Sequence, residues 1–204
     1  MRTIPESFIL PSFGGSPAKA ADAGTETATS GGGGGYSGPR KLVLICSKGN
    51  LDMAYPGLIL ANAAAGEGIE VHMFFTFWGL DIVNKKTNGK LQFTMVGNTA
   101  MHMSDLGNVH PGLEHWSMPQ WMGRIPGMTK IATNMMHKQI ADLGVPTVPE
   151  FLDLLEAAGV KMWACRMSFD MMKMIEADLH PAVQGVISAT DFMDLSEGAQ
   201  TLFI

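Results

Sequence analysis

The chain has 204 residues, of which 46% are hydrophobic and 16% charged, and its formal net charge at pH 7 is −5. This size favours one domain with extensions, and the negative charge gives no reason to expect nucleic-acid binding. The longest uncharged apolar stretches, residues 53–66 and 91–104, have about 14 residues each, whereas a membrane-spanning helix needs about 20. Two cysteines, Cys46 and Cys165, form neither a disulfide framework nor a CxxC motif. We therefore expect a cytoplasmic protein without a membrane span.

Residues 1–39 have the composition of a flexible tail. Residues 20–30 are almost all Ala, Thr, Gly, Asp and Glu, and residues 31–35 are an unbroken run of glycine. Such a segment buries too little apolar surface to offset the entropy lost on ordering. The glycine run lacks the preceding strand and the Gly-Lys-Ser/Thr ending of a phosphate-binding loop. We expect a disordered tail, followed by one folded domain at residues 40–204.

From residue 41 onward, apolar runs alternate with helix-like patterns. Continuous apolar runs are typical of strands buried on both faces in a parallel sheet, and they predict strands at residues 42–46, 69–75, 160–164, 183–187 and 200–204. Helical spacing and capping residues predict helices at residues 51–65, 77–86, 128–143, 147–158, 167–176 and 188–195. The alternation indicates an α/β fold, a three-layer α/β/α sandwich with a mostly parallel sheet of about five strands.

Residues 87–145 form a long insertion that is rich in Met, His and Pro and has no convincing strand. Such a connection is usually a lid or an oligomer contact, and its apolar residues would otherwise be exposed. We therefore expect a homo-oligomer with this segment at the contact. The spacing of His102, His110, His115 and His137 matches no standard zinc pattern, and methionine commonly fills irregular cores. We expect no metal and no cofactor.

Cys165 ends a predicted strand and immediately precedes a predicted helix. The free N–H groups and the positive dipole end of a helix N-terminus favour the thiolate, which is the nucleophilic form of cysteine. Arg166 adds a neighbouring positive charge, and Ser168 could donate a hydrogen bond to the sulfur or cap the helix. The alternative is a buried, inert cysteine that packs as a small hydrophobe.

Cys46 has the same local setting, at the end of the first predicted strand. A polar turn with Lys48 and the capping residue Asn50 leads into the next helix, and Lys48 could favour a thiolate at Cys46. The carboxyl ends of parallel strands lie on one edge of a sheet, where ligand chemistry collects. The alternative is that Cys46 is only the last buried residue of its strand.

Several stretches of the folded part resemble the DsrE/DsrF-like family of sulfur-handling proteins, in particular its larger, peroxiredoxin-like branch. They are Cys-Ser-Lys-Gly-Asn-Leu-Asp at 46–52, the helix at 127–136, Gly-Val-Pro-Thr-Val-Pro-Glu at 144–150 and the segment at 159–168, which ends in Ala-Cys-Arg-Met-Ser. The terminal strand at 199–204 also fits. The resemblance covers roughly residues 41–204, and the tail and the insertion depart from the small members of the family.

The resemblance implies a cysteine-persulfide sulfur carrier or sulfurtransferase in an intracellular sulfur relay. Cys165 would accept the sulfur, and Cys46 stands where the larger branch has a second cysteine. The implied partners are sulfur donor and acceptor proteins, such as rhodanese-like or TusA-like carriers, and further copies of the chain. Two alternatives stay open, namely a thiol redox protein or sensor that uses a Cys46/Cys165 pair and a non-catalytic oligomeric adaptor.

Overall fold

The computed structural model describes residues 40–98 and 117–204. Five strands form one sheet: β1 (Lys41–Cys46), β2 (Glu70–Phe75), β3 (Lys161–Cys165), β4 (Val183–Ile187) and β5 (Gln200–Phe203). Their order is β4-β3-β2-β1-β5, and every neighbouring pair is parallel. The carboxyl ends of all five strands therefore lie on one edge. The predicted parallel α/β sheet is confirmed.

In these two ranges, six α-helices connect or follow the strands: α1 (Leu51–Gly66), α2 (Leu80–Val83), α3 (Met128–Asp142), α4 (Val148–Ala157), α5 (Arg166–Met171) and α6 (Ala189–Leu195). The sequence specifies two of their starts. Thr147 and Glu150 form a capping box at α4, as do Ser188 and Asp191 at α6, so side chains satisfy N–H groups that each first turn leaves unpaired. Within the described ranges, no helix is long and apolar enough to cross a membrane.

Two predicted helices are shorter than expected. The one at 77–86 is a 3₁₀ turn (Phe77–Gly79) followed by α2. It ends at Val83 because the next residues bond to a distant segment, with Lys85 N–H donating to the Asp178 carbonyl at 2.8 Å. The one at 167–176 ends at Met171, because Lys173 adopts a left-handed φ of 52° that cannot continue a helix.

The sheet buries a different core on each face. On one face, β1, β2 and β3 pack against α1 and α4 through a set that includes Leu44, Cys46, Phe75, Ala164, Leu58 and Phe151. The opposite face carries a smaller cluster of Val43, Phe74, Cys165 and Phe192, in which the rings of Phe74 and Phe192 stack at 4.2 Å. Because side chains alternate along a strand, Cys46 and Cys165 lie on opposite faces.

Part of the predicted insertion forms a third, separate cluster. Phe93 and Met95 pack against Ala132 of α3, and the Thr133 hydroxyl oxygen accepts a hydrogen bond from the Phe93 N–H at 3.0 Å. Residues 99–116, with His102, His110 and His115, lie outside the described residues, as does the predicted tail at 1–39.

Candidate functional site

Cys165 is the last residue of β3 and directly precedes α5. Phe75 of β2 pairs with Ala164 of β3, so the residue after each, Thr76 and Cys165, lie side by side on the same sheet face. The Cys165 side chain is buried, with 5% of its residue surface exposed. The sulfur therefore lies at the carboxyl edge of the sheet, where it is shielded from bulk solvent.

Ser168, in the first turn of α5, is fully buried behind this sulfur. Its hydroxyl oxygen accepts a hydrogen bond from the Phe77 N–H at 2.9 Å and lies 3.1 Å from the Thr76 hydroxyl. The Phe77 backbone reaches Ser168 with a φ of 46°, a left-handed conformation that is uncommon for a bulky residue and typical of strained functional sites. Because Ser168 accepts from the Phe77 N–H, its own hydrogen is free to point elsewhere.

Hydrogen bonds lower the pKa of Cys165 despite its burial. Burial by itself raises the pKa of the Cys165 thiol, but the hydrogen bonds from the Ser168 N–H, the Thr76 and Ser168 hydroxyls and the Met167 N–H outweigh it. The net result is a pKa below the ordinary value for cysteine. Donors that point at a sulfur stabilise its charged form, and the site therefore favours a thiolate.

Arg166 does not supply the charge that its position in the sequence suggested. Its guanidinium is exposed, and Nη2 donates to the carbonyl of Val186 on β4 at 3.1 Å. The groups that lower the pKa of Cys165 are instead the two backbone N–H groups and the two hydroxyls. Arg166 thus ties the start of α5 to the neighbouring strand.

The surroundings of Cys46 are the opposite of those of Cys165. Only 1% of Cys46 is exposed, and burial raises the pKa of its thiol to about 12. Helix α1 approaches so closely that a Cβ on Gly57 would lie 3.0 Å from the Cys46 sulfur. Lys48 is exposed in the following loop. The expectation that Lys48 favours a thiolate here is wrong, because the apolar surroundings keep Cys46 protonated.

Asn50 occupies the N-cap position of α1. Its carbonyl accepts hydrogen bonds from the N–H groups of Met53 and Ala54, at 3.1 and 2.9 Å, while its side chain makes no capping hydrogen bond to the residues that the structure describes. It lines a surface cavity of about 290 Å³ together with Trp78, Asp81 and Lys90. Asn50 therefore lies at the same sheet edge as Cys165 but on the α1 side.

The two cysteines are not brought together. Strand β2 lies between β1 and β3, which separates the strands by about 10 Å, or two strand spacings. The sulfurs also lie on opposite faces, and both thiols are free. A disulfide needs Cα atoms within about 7 Å. This arrangement gives no support to a Cys46/Cys165 redox pair within one chain.

Thr76 and Phe77 are site residues that the sequence analysis missed. Thr76 directly follows the predicted strand at 69–75, in the position that Cys165 occupies after 160–164. This equivalent position could have pointed to Thr76, but only with the knowledge that β2 and β3 are neighbours in the sheet. In the ranges that the structure covers, no group of three or more His, Cys, Asp or Glu could hold a metal ion.

The protein is thus a parallel α/β domain with a cysteine of lowered pKa at the carboxyl edge of its sheet. Residues 39–203 match the model of the DsrE/DsrF/DrsH-like family. The chain belongs to this family.

Two curated proteins and one solved structure are among the matches to this chain. The chain is 38% identical over 165 residues to the "Sulfur carrier protein DsrE2" of Allochromatium vinosum, a match that covers 81% of this chain and 98% of the relative. It is 28% identical over 165 residues to the "Uncharacterized protein YrkE" of Bacillus subtilis, covering 81% and 97%. A solved structure from Methanobacterium thermoautotrophicum, the protein of unknown function MTH1491, aligns with a TM-score of 0.46 and 10% identity, covering 81% and 99%.

Proposed function

We propose that this protein is a sulfur carrier, of the sulfurtransferase type, that holds sulfur on Cys165 as a persulfide. The observation that carries the proposal is the Cys165 sulfur itself, whose pKa is lowered by two backbone N–H groups and two hydroxyls. The similarity to a protein named as a sulfur carrier supports the same function. An inert cysteine of an adaptor protein would not need four donors around its sulfur.

The proposed chemistry has two exchange steps. The Cys165 thiolate attacks the outer sulfur of a donor persulfide, which forms a new S–S bond at Cys165, breaks the S–S bond of the donor and releases the donor thiolate. An acceptor thiolate then attacks the outer sulfur on Cys165, takes it as a new persulfide and restores the Cys165 thiolate. No electrons are gained or lost overall, so the cycle needs no redox cofactor.

The hydrogen-bond donors have a role in both steps. In the second step the leaving group is the Cys165 thiolate, and a thiol of lower pKa leaves faster. The Thr76 and Ser168 hydroxyls and the α5 N–H groups therefore assist both the attack and the release. We propose that Cys46, protonated and buried against α1, has a packing role in the unloaded protein.

The partners in this proposal are donor and acceptor proteins of the sulfur relay, such as rhodanese-like or TusA-like carriers. Exposed apolar side chains flank the site. Phe77, which follows Thr76 in the chain, is 46% exposed, and Met167, which precedes Ser168, is 60% exposed. Exposed apolar side chains around a reactive group are typical of a protein–protein contact.

We also propose a homo-oligomer. The described part of the segment at 87–145 exposes large apolar side chains, including Trp121, Ile131 and Leu143. Light scattering of the full chain at micromolar concentration should give a mass above that of one chain, and Ile131→Glu should lower it. A monomeric wild type would contradict this proposal.

Intact-protein mass spectrometry tests the carrier function. After incubation with a persulfide donor and removal of excess reagent, the wild type should gain the mass of one sulfur atom, and dithiothreitol should remove it. Cys165→Ser should gain nothing, and the matched control Cys46→Ser should load like the wild type. Equal loading of Cys165→Ser and the wild type would overturn the proposal.

A further inference from the structure

The amino-terminal half of β2 and β3 carries a buried polar network that the sulfur chemistry does not use. His72 is buried in the centre of the sheet. Its Nε2 lies 2.8 Å from Glu70 Oε1, and its Nδ1 lies 3.2 Å from Nε1 of Trp163. An indole N–H can only donate, so Nδ1 must be the acceptor and Nε2 carries the hydrogen that Glu70 accepts. The network therefore fixes both the tautomer and the neutral state of the imidazole.

Trp163 connects this network to Cys165. The two residues lie on the same face of β3, two positions apart, and belong to the same small core cluster. The indole ring extends over β4, where a Cβ on Gly185 would lie 3.9 Å from the ring. Trp163 is thus the large side chain nearest to Cys165 along the strand on this face, and it packs against the cluster that contains Cys165.

We infer that His72 is a positioning residue: it holds the Trp163 ring in place beside Cys165 while its imidazole is neutral, and it releases the ring when the imidazole is protonated. A proton on Nδ1 would place two donors, the imidazolium N–H and the indole N–H, opposite each other, so the hydrogen bond would be lost. Trp163 could then leave its place over Gly185. The link to sulfur transfer rests on the function proposed for Cys165.

Burial of His72 and the charged groups around it together lower the pKa of the ring. Glu70 faces the ring from β2. Lys161 on β3 donates to the same Glu70 oxygen at 3.1 Å, and Lys41 on β1 is held by the Leu195 carbonyl at the end of α6. Burial lowers the pKa of His72, the bond to Glu70 opposes this, and the two lysines add to the lowering. The ring therefore gains its proton only below the ordinary histidine value of about 6.5.

Indole ¹H–¹⁵N resonances of the full-length protein test the hydrogen bond. The chain has four tryptophans, and the Trp163 signal is the one that disappears in Trp163→Phe. In the wild type it should shift as the pH falls through a midpoint below the ordinary histidine value of about 6.5. His72→Asn offers an acceptor oxygen near the Nδ1 position and does not titrate, so the shift should vanish while the bonded signal remains.

Alkylation of Cys165 by a small and a bulky maleimide tests the consequence for the site. In the wild type the ratio of bulky to small reaction rates should rise as the pH falls through the same midpoint. In His72→Asn the ratio should stay constant, and in Trp163→Phe it should be high at every pH. Identical pH curves for the wild type and His72→Asn, in either experiment, would overturn the inference.

Neither measurement needs a sulfur donor, so the two proposals fail separately. A normal pH response with no persulfide loading would leave the His72 and Trp163 positioning in place and remove the sulfur-carrier function. Normal persulfide loading without a pH response would support the sulfur-carrier function and remove the positioning role of His72.

Discussion

At the residue scale, the Thr76 and Ser168 hydroxyls help to lower the pKa of Cys165, together with the N–H groups of Ser168 and Met167. Without these hydroxyls and the two N–H groups, burial would raise the pKa of the Cys165 thiol and leave a poor nucleophile. Cys46 shows that outcome in the same molecule, since burial raises the pKa of its thiol to about 12. Two cysteines at equivalent strand ends thus differ in pKa, because Cys165 has hydrogen-bond donors around its sulfur and Cys46 is buried without them.

Thr76→Val should raise the pKa of Cys165. The change keeps the shape of the side chain and removes one donor to the thiolate, which is worth on the order of one pKa unit. The pH profile of iodoacetamide alkylation should move to higher pH, and the rate at neutral pH should fall accordingly. Peptide mapping separates Cys165 from Cys46, which should stay unmodified in the native state.

Thr201→Val is the matched control for this change. Thr201 is exposed on the edge strand β5, so its substitution should leave the profile unchanged. If the alkylation pH profile of Thr76→Val also matched that of the wild type, the Thr76 hydroxyl would have no effect on the pKa of Cys165.

At the element scale, the loops after β1 and β2 pack against each other through glycine. A Cβ on Gly79 would lie 2.0 Å from the Cys46 carbonyl oxygen, and one on Gly49 would lie 2.4 Å from the Trp78 carbonyl oxygen. The same Cys46 carbonyl accepts a hydrogen bond from the Thr76 N–H at 3.0 Å. The backbone of Cys46 therefore helps to hold Thr76 in position, even though its thiol faces the other side of the sheet.

Gly79→Ala should be strongly destabilising. The new methyl group meets backbone atoms that cannot rotate away, and overpacking of this kind costs about 1–3 kcal/mol or more. The loop that carries Thr76 would also be pushed from its place, so Cys165 alkylation at neutral pH should slow. Gly66→Ala, where a Cβ meets nothing within 4 Å, is the control in thermal unfolding followed by circular dichroism. Equal melting temperatures for the two variants would contradict the close packing.

Local sequence patterns were sufficient to predict where the strands are in the chain but not which strands are neighbours in the sheet. Apolar runs identify each strand because a strand covered on both faces must be apolar throughout. Strand order depends on pairing between segments far apart in the chain, which leaves no local signal. For the same reason α2 was predicted too long: the residues after Val83 bond to the segment around Asp178. The contact of Thr76 with Cys165 likewise needs β2 and β3 side by side.

The sheet face on which each cysteine lies could not be predicted from local sequence patterns either. The apolar runs ended at or just before each cysteine, so both were expected at the same edge, and the structure places both there. Which face each sulfur takes follows from the register across β2, where Cys46 pairs with Phe75 and Phe75 pairs with Ala164. Cys165 is one residue beyond the position that is level with Cys46 across the sheet, so its side chain points to the other face. That offset cannot be read from either strand alone.

At the scale of the whole molecule, buried histidines make the fold sensitive to acid. Burial lowers the pKa of His72 and of His180, so the native state binds fewer protons at these rings than the unfolded chain does. Their contribution to stability is complete above the unfolded value of about 6.5 and is lost as the pH falls through the lower native values. The Glu70 carboxyl acts in the same direction at lower pH, since hydrogen bonds from His72 and Lys161 lower its pKa to about 2.

The melting temperature should therefore be lower at about pH 5 than at about pH 7.5. His72→Asn should reduce this difference, because one of the titrating groups is gone, whatever its effect on stability at the higher pH. Differential scanning fluorimetry of both proteins in matched buffers provides the comparison. A melting temperature that did not fall on acidification, or an unchanged difference in His72→Asn, would contradict a lowered pKa of His72 in the native state.

The central claim is that transferred sulfur passes through Cys165 at the carboxyl edge of the sheet. The most direct measurement follows an isotope-labelled outer sulfur from a donor persulfide, through this protein, to a small acceptor thiol, with the intermediate trapped by alkylation and mapped by peptide mass spectrometry. We predict that the label appears on the Cys165 peptide before it appears on the acceptor, and that the Cys46 peptide stays unlabelled. Label on Cys46, or label that reaches the acceptor equally fast with Cys165→Ser, would contradict the account.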